Sequence, residues 1–179
     1  MSGAIGRPAT GGSGSTTWSA TQSDSNPAAS AARPMRAVWT QPKPSHKGPY
    51  VSFDGVQAMP RPVQTPVPIV VGGRTPPAYR RAVMQGHSWY GFGMSVDDTQ
   101  KVVAALRDTA KKHSRPAELG RLEISITPPG YDVPDKATLD AYAATGVDRL
   151  ILRPRPEMDA AALERFAAET GRALGLRAS

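Results

Sequence analysis

The residues whose types and spacing best suit the binding of a ligand lie in two glycine-containing turns, each directly after a predicted strand. The β-branched run at 69–71 is followed directly by Gly72 and Gly73, and the apolar run at 89–92 leads into Gly93. Short apolar runs that end in glycine are typical of buried parallel strands. A turn of this kind exposes backbone N–H groups beside the start of the next helix, where they can bind an anion such as a phosphate.

The alternative interpretation is that these glycines only form tight turns between a strand and a helix, which needs no ligand. The histidines add no clear chemistry, because no nucleophile or carboxylate pairs with His46, His87 or His113 in the sequence. Their spacing does not favour a metal site, and a chain without cysteine has no disulfide or thiolate ligand. The sequence therefore names no catalytic residue.

The overall composition of the chain indicates which kinds of binding partner are favoured and which are not. The 179 residues carry a formal net charge of +7, but the basic residues are scattered and form no basic-aromatic cluster, so a nucleic-acid partner is not favoured. A basic surface could still favour an anionic cofactor. No stretch is apolar for long enough to span a bilayer, and the start lacks the pattern of a signal peptide. The default expectation is a soluble, cytoplasmic protein.

The first part of the chain differs in composition from the rest. Residues 1–34 are mainly Gly, Ser, Thr, Ala and Pro, with almost no aliphatic side chains. Such a segment cannot bury enough apolar surface to offset the entropy cost of ordering its backbone. We therefore predict a disordered tail at 1–34, in which Trp18 is an exposed ring, and a single domain at 35–179.

The elements that must position the two turns follow one another as strand and helix, four times over. Alternating and β-branched patterns predict strands at 69–71, 89–92, 122–127 and 147–152. Each is followed by a helix, with expected N-caps at Thr75, Ser95, Asp135 and Asp159. This alternation predicts βαβ units and a parallel sheet, and four such units are half of a (β/α)8 barrel. Upstream, the alternation at 48–56 predicts one further strand.

An open half-barrel also makes predictions about single side chains. Alternate apolar residues of the strands should face an uncovered trough: Val70, Ile124, Ile126 and Ile151. The buried face of the last helix should consist of Leu163, Phe166, Ala167 and Leu174.

Several motifs match one family. Val71-Gly72-Gly73 closes a strand, Ala78-Tyr79-Arg80-Arg81-Ala82 lies in the next helix, and Gly86-His87-Ser88-Trp89 leads into the following strand. Together they resemble the luciferase-like monooxygenase superfamily of flavin- and F420-dependent oxidoreductases. His87 and Ser88 stand where the family has an acid and a second glycine. The segments 47–53 and 59–64 are also similar to the family, and the resemblance covers roughly 35–177.

This resemblance implies a fold, a cofactor and a set of contacts. The fold would be the C-terminal half of a (β/α)8 barrel, without the first half. Coenzyme F420, or alternatively FMN, would bind at the carboxyl ends of the strands. The resemblance assigns its phosphate to two turns, the first formed by Gly72, Gly73, Arg74 and Thr75 and the second by Gly91, Phe92 and Gly93. The family's proton-handling residues lie largely on the first four strands, so no catalytic residue carries over.

Two functions remain open at this point. The first is a flavin- or F420-dependent oxidoreductase or monooxygenase, present as a partial domain, which acts on a small molecule of unknown identity. The alternative is a non-catalytic, truncated half-barrel that serves as a binding or assembly module or is a remnant of an enzyme. Either way, a half-barrel leaves two sheet edges unpaired, so self-association or a complementing half-barrel is expected.

Overall fold

The computed structural model of the chain describes residues 32–174. The predicted tail therefore lies outside the described residues, apart from 32–34, which open a first helix. The helices are α1 (Ala32–Thr40), α2 (Pro76–Gln85), α3 (Val96–His113), α4 (Lys136–Thr145) and α5 (Ala160–Ala173), with a short 3-10 turn at Ala117–Leu119. The strands are β1 (Ser45–Lys47), β2 (Ser52–Asp54), β3 (Val70–Gly72), β4 (Ser88–Phe92), β5 (Glu123–Thr127) and β6 (Arg149–Leu150).

The four strands β3 to β6 form one sheet in chain order, and every neighbouring pair is parallel. A helix follows each strand, which confirms the predicted α/β fold with four βα units of a partial barrel. Strand β6 is shorter than the predicted 147–152, although backbone bonds to β5 continue on both sides of it, from Asp148 to Ile124 and from Ile151 to Ile126 (both 2.8 Å).

The predicted strand at 48–56 is present only at Ser52–Asp54, which is β2. The chain forms an antiparallel hairpin in which Ser45 pairs with Asp54 and Lys47 with Ser52. The turn lies inside the predicted strand, where the N–H of Gly48 donates to the carbonyl of Val51 (3.0 Å). Alternation of residue types cannot reveal such a turn, because both strands of a short hairpin share the same period of two. Helix α1 was likewise not predicted.

The helices begin largely where the sequence places them. Ser95, Asp135 and Asp159 each accept a bond from the backbone N–H three residues ahead, at 3.1, 2.8 and 2.7 Å respectively. These bonds satisfy N–H groups that have no partner within the helix. Thr75 precedes α2 as predicted but makes no side-chain cap bond.

The core lies between one face of the sheet and the helices α2, α3 and α4. Trp89, Ile124 and Ile126 project from the sheet into a cluster of buried side chains. The helices contribute Tyr79, Ala82, Val83, Val102, Val103, Leu106 and Tyr142.

Two side-chain predictions need correction. Ile124 and Ile126 do not face the trough: they are 7% and 0% exposed, because they stand in register with Trp89 and Gly91 on the helix-covered side. The side of the sheet away from these helices, which we call the open face, carries Val70 and Ile151 as predicted, at 58% and 40% exposure.

The buried face predicted for α5 is also wrong, since no residue of that helix is buried. Its amphipathic stripe does form a helix, but the sheet beneath it ends with the two paired residues of β6. Among residues 32–174 there is no further strand against which this helix could pack.

Candidate functional site

The carboxyl ends of β3 to β6 and the turns that follow them form one edge of the sheet, which we call the carboxyl edge. In parallel α/β sheets this edge is where ligands bind. Gly72 of β3 stands opposite Tyr90 of β4, so the two predicted glycine turns lie side by side on this edge.

The first turn is held in place by the core. The indole Nε1–H of Trp89 donates to the carbonyl of Gly73 (3.0 Å). Gly73 has a φ of +107°, and a Cβ there would lie 3.0 Å from the Cβ of Ala78. This glycine is therefore required by the turn itself, and its position does not depend on a ligand.

The backbone N–H donors and the charged side chains at this first turn allow an anion to bind, but they restrict where it can lie. Helix α2 starts with Pro76 and Pro77, which have no N–H, so its first turn offers fewer free donors than usual. The N–H groups of Arg74 and Thr75 have no backbone partner among the described residues. The guanidinium of Arg74 lies 4.0 Å from the carboxylate of Asp98, and both side chains are about half exposed. Such a pair is weak, so Arg74 remains available to an anion.

In the second turn, Gly91 and Gly93 have different reasons to be glycine. A Cβ on Gly91 would lie 2.5 Å from the buried ring of Trp89 and 2.9 Å from Met94, so Gly91 is needed for core packing. Gly93 has a φ of +62°, and a Cβ placed on it would meet nothing within 4 Å, so it leaves open room at the carboxyl edge. Phe92 is exposed on the open face beside it.

The second turn is well anchored but carries an unfavourable charge for phosphate. Met94 N–H donates to the carbonyl of Thr127 (3.0 Å), and the hydroxyl of Tyr142 donates to the carbonyl of Met94 (2.7 Å). The first turn of α3 holds Asp97 and Asp98. Carboxylates near a helix N-terminus repel a second anion there. A phosphate would therefore lie nearer Arg74 than the start of α3.

The open face is more polar than the sequence pattern predicts. The hydroxyls of Tyr90 and Thr127 share a hydrogen bond of 2.8 Å. Thr127 is buried, and so is Ser125 on the same strand. The sequence pattern does not indicate these polar residues, because it places Ile124 and Ile126 on the exposed side of the sheet, whereas in the structure they face the helices.

A second group that sequence reasoning missed lies where β6 ends. The guanidinium carbon of Arg153 is 4.6 Å from the ring centroid of Phe92 and 4.4 Å from that of Tyr131. Next to it, Arg155 contacts the carboxylate of Asp132 at 2.6 Å. The position of polar residues directly after strands could have indicated them.

His87 lies away from these groups, at the amino end of β4. Its Nδ1 accepts a bond from the N–H of Ile69 (3.0 Å), which ties the start of β3 to that of β4. Burial, followed by the charges of Arg36 and Arg115, lowers the pKa of His87 below its ordinary value of 6.5. A neutral ring that accepts a backbone bond gives His87 a structural role.

Three further features of residues 32–174 bear on the site. A cavity of about 520 Å³ is lined by the β1–β2 hairpin, among others by His46 and Phe53, and not by the carboxyl edge. No group of His, Asp or Glu in this part of the chain could hold a metal ion. None of its helices has the length and apolar character to cross a membrane.

Known proteins resemble this chain in sequence. Uncharacterized protein Rv0953c of Mycobacterium tuberculosis (strain ATCC 25618 / H37Rv) is 31% identical over 139 residues, which are 75% of this chain and 47% of the relative. Uncharacterized protein Mb0978c of Mycobacterium bovis (strain ATCC BAA-935 / AF2122/97) matches equally well. The chain thus spans about half the length of the curated relatives it matches.

The fold is shared with an F420-dependent secondary alcohol dehydrogenase that was solved with an F420-acetone adduct. The TM-score is 0.52 at 14% identity, over 68% of this chain and 53% of that chain. The family model of the luciferase-like monooxygenases matches residues 31–174. This match confirms the resemblance seen in the motifs: the chain belongs to the luciferase-like monooxygenase family.

Proposed function

We propose that the chain forms the cofactor-binding part of a flavin- or F420-dependent oxidoreductase or monooxygenase. The observation that carries this proposal is the placement of two glycine turns, after β3 and after β4, side by side on the carboxyl edge. When bound, a reduced flavin or deazaflavin would supply hydride transfer or oxygen activation. The similar fold of an F420-dependent dehydrogenase supports F420, with FMN as the alternative.

The residues of the first turn fit the phosphate of such a cofactor. Arg74 and the backbone N–H groups of Arg74 and Thr75 would bind the phosphate oxygens, and Gly72 and Gly73 would permit close approach. At the second turn, Gly93 leaves room for the cofactor and Phe92 presents a ring to it. Gly91 would contribute through the shape of the turn alone, since its α-carbon faces Trp89.

The catalytic groups would come from outside this segment. No described histidine is paired with a nucleophile or a carboxylate, and the chain spans about half the length of its curated relatives. A complementing half-barrel, or a second copy of this chain, would then cover the open face and complete the site. A cytoplasmic location remains a prediction from the sequence.

The second candidate is a half-barrel without catalytic function that acts as a binding or assembly module. The observation that favours it is the open face, on which Val70, Phe92 and Ile151 are exposed. Exposed apolar side chains on one face are typical of a contact surface. This candidate predicts association without any affinity for F420 or FMN.

Cofactor titration separates the two candidates. Purified chain is titrated with F420 and with FMN, and binding is followed by cofactor fluorescence. We expect saturable binding in the micromolar range typical of such sites. If neither cofactor binds, the cofactor proposal is wrong and the assembly module is favoured.

A pair of glycine variants makes this test specific for the turn. Gly93→Ala places a methyl group in the open room of the second turn, and we expect it to weaken binding about tenfold, or about 1.4 kcal/mol. Gly55→Ala is the matched control, since Gly55 also has a positive φ (+67°) and open space but lies after β2, outside the parallel sheet. Equal affinities of the two variants would contradict the placement of the cofactor at this turn.

A further inference from the structure

A guanidinium group is fixed at the carboxyl edge by two aromatic rings from different parts of the chain. The Cζ of Arg153 lies over the ring of Phe92, which ends β4, and over the ring of Tyr131, in the loop between β5 and α4. The backbone leading to it is still held by β5, through the bond from Ile151 N–H to Ile126. Three segments therefore determine where this cation lies.

The hydrogen-bonding capacity of Arg153 is mostly unused. Its Nη2 donates to the carbonyl of Gly130 (2.9 Å), in an exposed position. Its Nε is buried and has no partner among residues 32–174. Its neighbour Arg155 has a carboxylate partner in Asp132, and at the amino ends of β5 and β6 Arg121 pairs with Asp148 and Arg149 with Glu123. Among the described residues, Arg153 has none.

These features suit a guanidinium group that is available to bind an anion. A buried donor without a partner is unfavourable, and it persists here because the rings hold the side chain by cation–π contact. The rings also remove much of the rotational freedom that an arginine otherwise loses on binding. A fixed planar guanidinium matches the two oxygens of a carboxylate or phosphate.

We propose that Arg153 is a specificity-determining residue that binds an oxyanion, a carboxylate or a phosphate, of a molecule held at the carboxyl edge. This inference deepens the proposed function and rests on it for the identity of that molecule, which would be an anionic substrate or the cofactor itself. The guanidinium binds by charge and hydrogen bonds and takes no part in the chemical step.

The test observes Arg153 directly and uses no cofactor. In the ¹⁵N-labelled full chain, the Nε–H signal of Arg153 is assigned by its loss in Arg153→Lys. The chain is then titrated with sodium benzoate, with inorganic phosphate and with the neutral benzamide, at constant ionic strength. We expect a saturable shift of this signal with benzoate or phosphate, and none with benzamide. A tighter response to benzoate indicates a carboxylate substrate, and a tighter response to phosphate indicates a phosphate group.

Matched variants separate binding from a merely structural role. In Phe92→Leu, whose side chain is exposed and leaves the core intact, we expect the affinity for the oxyanion to fall at least threefold. Arg165→Lys, on the exposed surface of α5, should leave it unchanged. An Nε–H signal that ignores both anions, or that responds equally to benzamide, would overturn the proposal. Because the titration with benzoate, phosphate and benzamide contains no cofactor, its result can be interpreted even if F420 and FMN do not bind.

Discussion

Gly91 shows how a residue assigned to a cofactor turn can be required by the core instead. Trp89 is fully buried and its indole N–H is fixed to the carbonyl of Gly73, so the ring cannot move away from a new methyl group. We expect Gly91→Ala to lower the free energy of unfolding by about 1–3 kcal/mol, the usual cost of overpacking. Denaturation with urea measures this change.

Gly171→Ala is the control for this prediction. Gly171 lies in α5, and a Cβ placed on it would meet nothing within 4 Å. Alanine there should raise stability by about 0.5–1 kcal/mol, because glycine is a poor helix former. If both variants had the same stability, the packing role of Gly91 would be contradicted.

The candidate site was predictable only where backbone geometry depends on glycine. Gly73 and Gly93 both have positive φ in the turns that the sequence placed after strands. The position of Arg153 after a strand is a local signal, but its ring contacts are not, because Phe92 and Tyr131 lie 61 and 22 positions earlier in the chain. Contacts over such distances depend on how the strands are ordered, which local residue patterns do not specify.

At the scale of elements, the amino ends of β3 and β4 depend on a neutral histidine. The pKa of His87 is lowered in the folded protein, so the unfolded chain binds more protons between that lowered pKa and 6.5. The contribution of His87 is therefore fully present above pH 6.5 and is lost as the pH falls towards the lowered pKa. We expect the free energy of unfolding, measured by urea denaturation, to decrease between pH 7.5 and pH 5.5.

The variant His87→Asn tests this assignment, because asparagine keeps an acceptor for Ile69 N–H and does not titrate. Its stability should depend less on pH across this range than that of the unaltered chain. Asp148 does not interfere. Its pKa is lowered below 3.8, chiefly by the hydrogen bond from Arg121, so its stabilising effect is lost only at more acidic pH. A wild-type profile that is flat from 7.5 to 5.5 would contradict the role of His87.

The order of the elements was predictable to a large extent, since strand and helix periods and the caps Ser95, Asp135 and Asp159 are local signals. Local sequence patterns do not indicate which side of the sheet the helices cover. Ile124 and Ile126 were assigned to the wrong side because β-branched residues suit either face of a parallel strand. Helix α1 was missed because a proline-rich stretch follows directly after it.

At the scale of the molecule, the open face and the free edge of β3 favour association. Val70 is exposed on that edge strand, and exposed strand edges readily pair with another chain. We expect analytical ultracentrifugation to show reversible self-association, and the melting temperature to rise with protein concentration.

Val70→Lys should weaken the association about tenfold, whereas Val63→Lys, at a fully exposed position outside the sheet, should leave it unchanged. A strictly monomeric chain with a sharp, concentration-independent melt would contradict association through this face.

The uneven burial along the sheet has a consequence for local opening. The core joins the sheet to α2, α3 and α4, whereas α5 has no buried residue. We therefore expect α5 to open while the sheet stays folded, with faster amide hydrogen exchange than in the core strands. Arg153 lies in the connection that leads from β6 to α5, and it contacts Phe92 of β4. An anion bound there would slow the opening, so ligand occupancy and the order of α5 are thermodynamically linked.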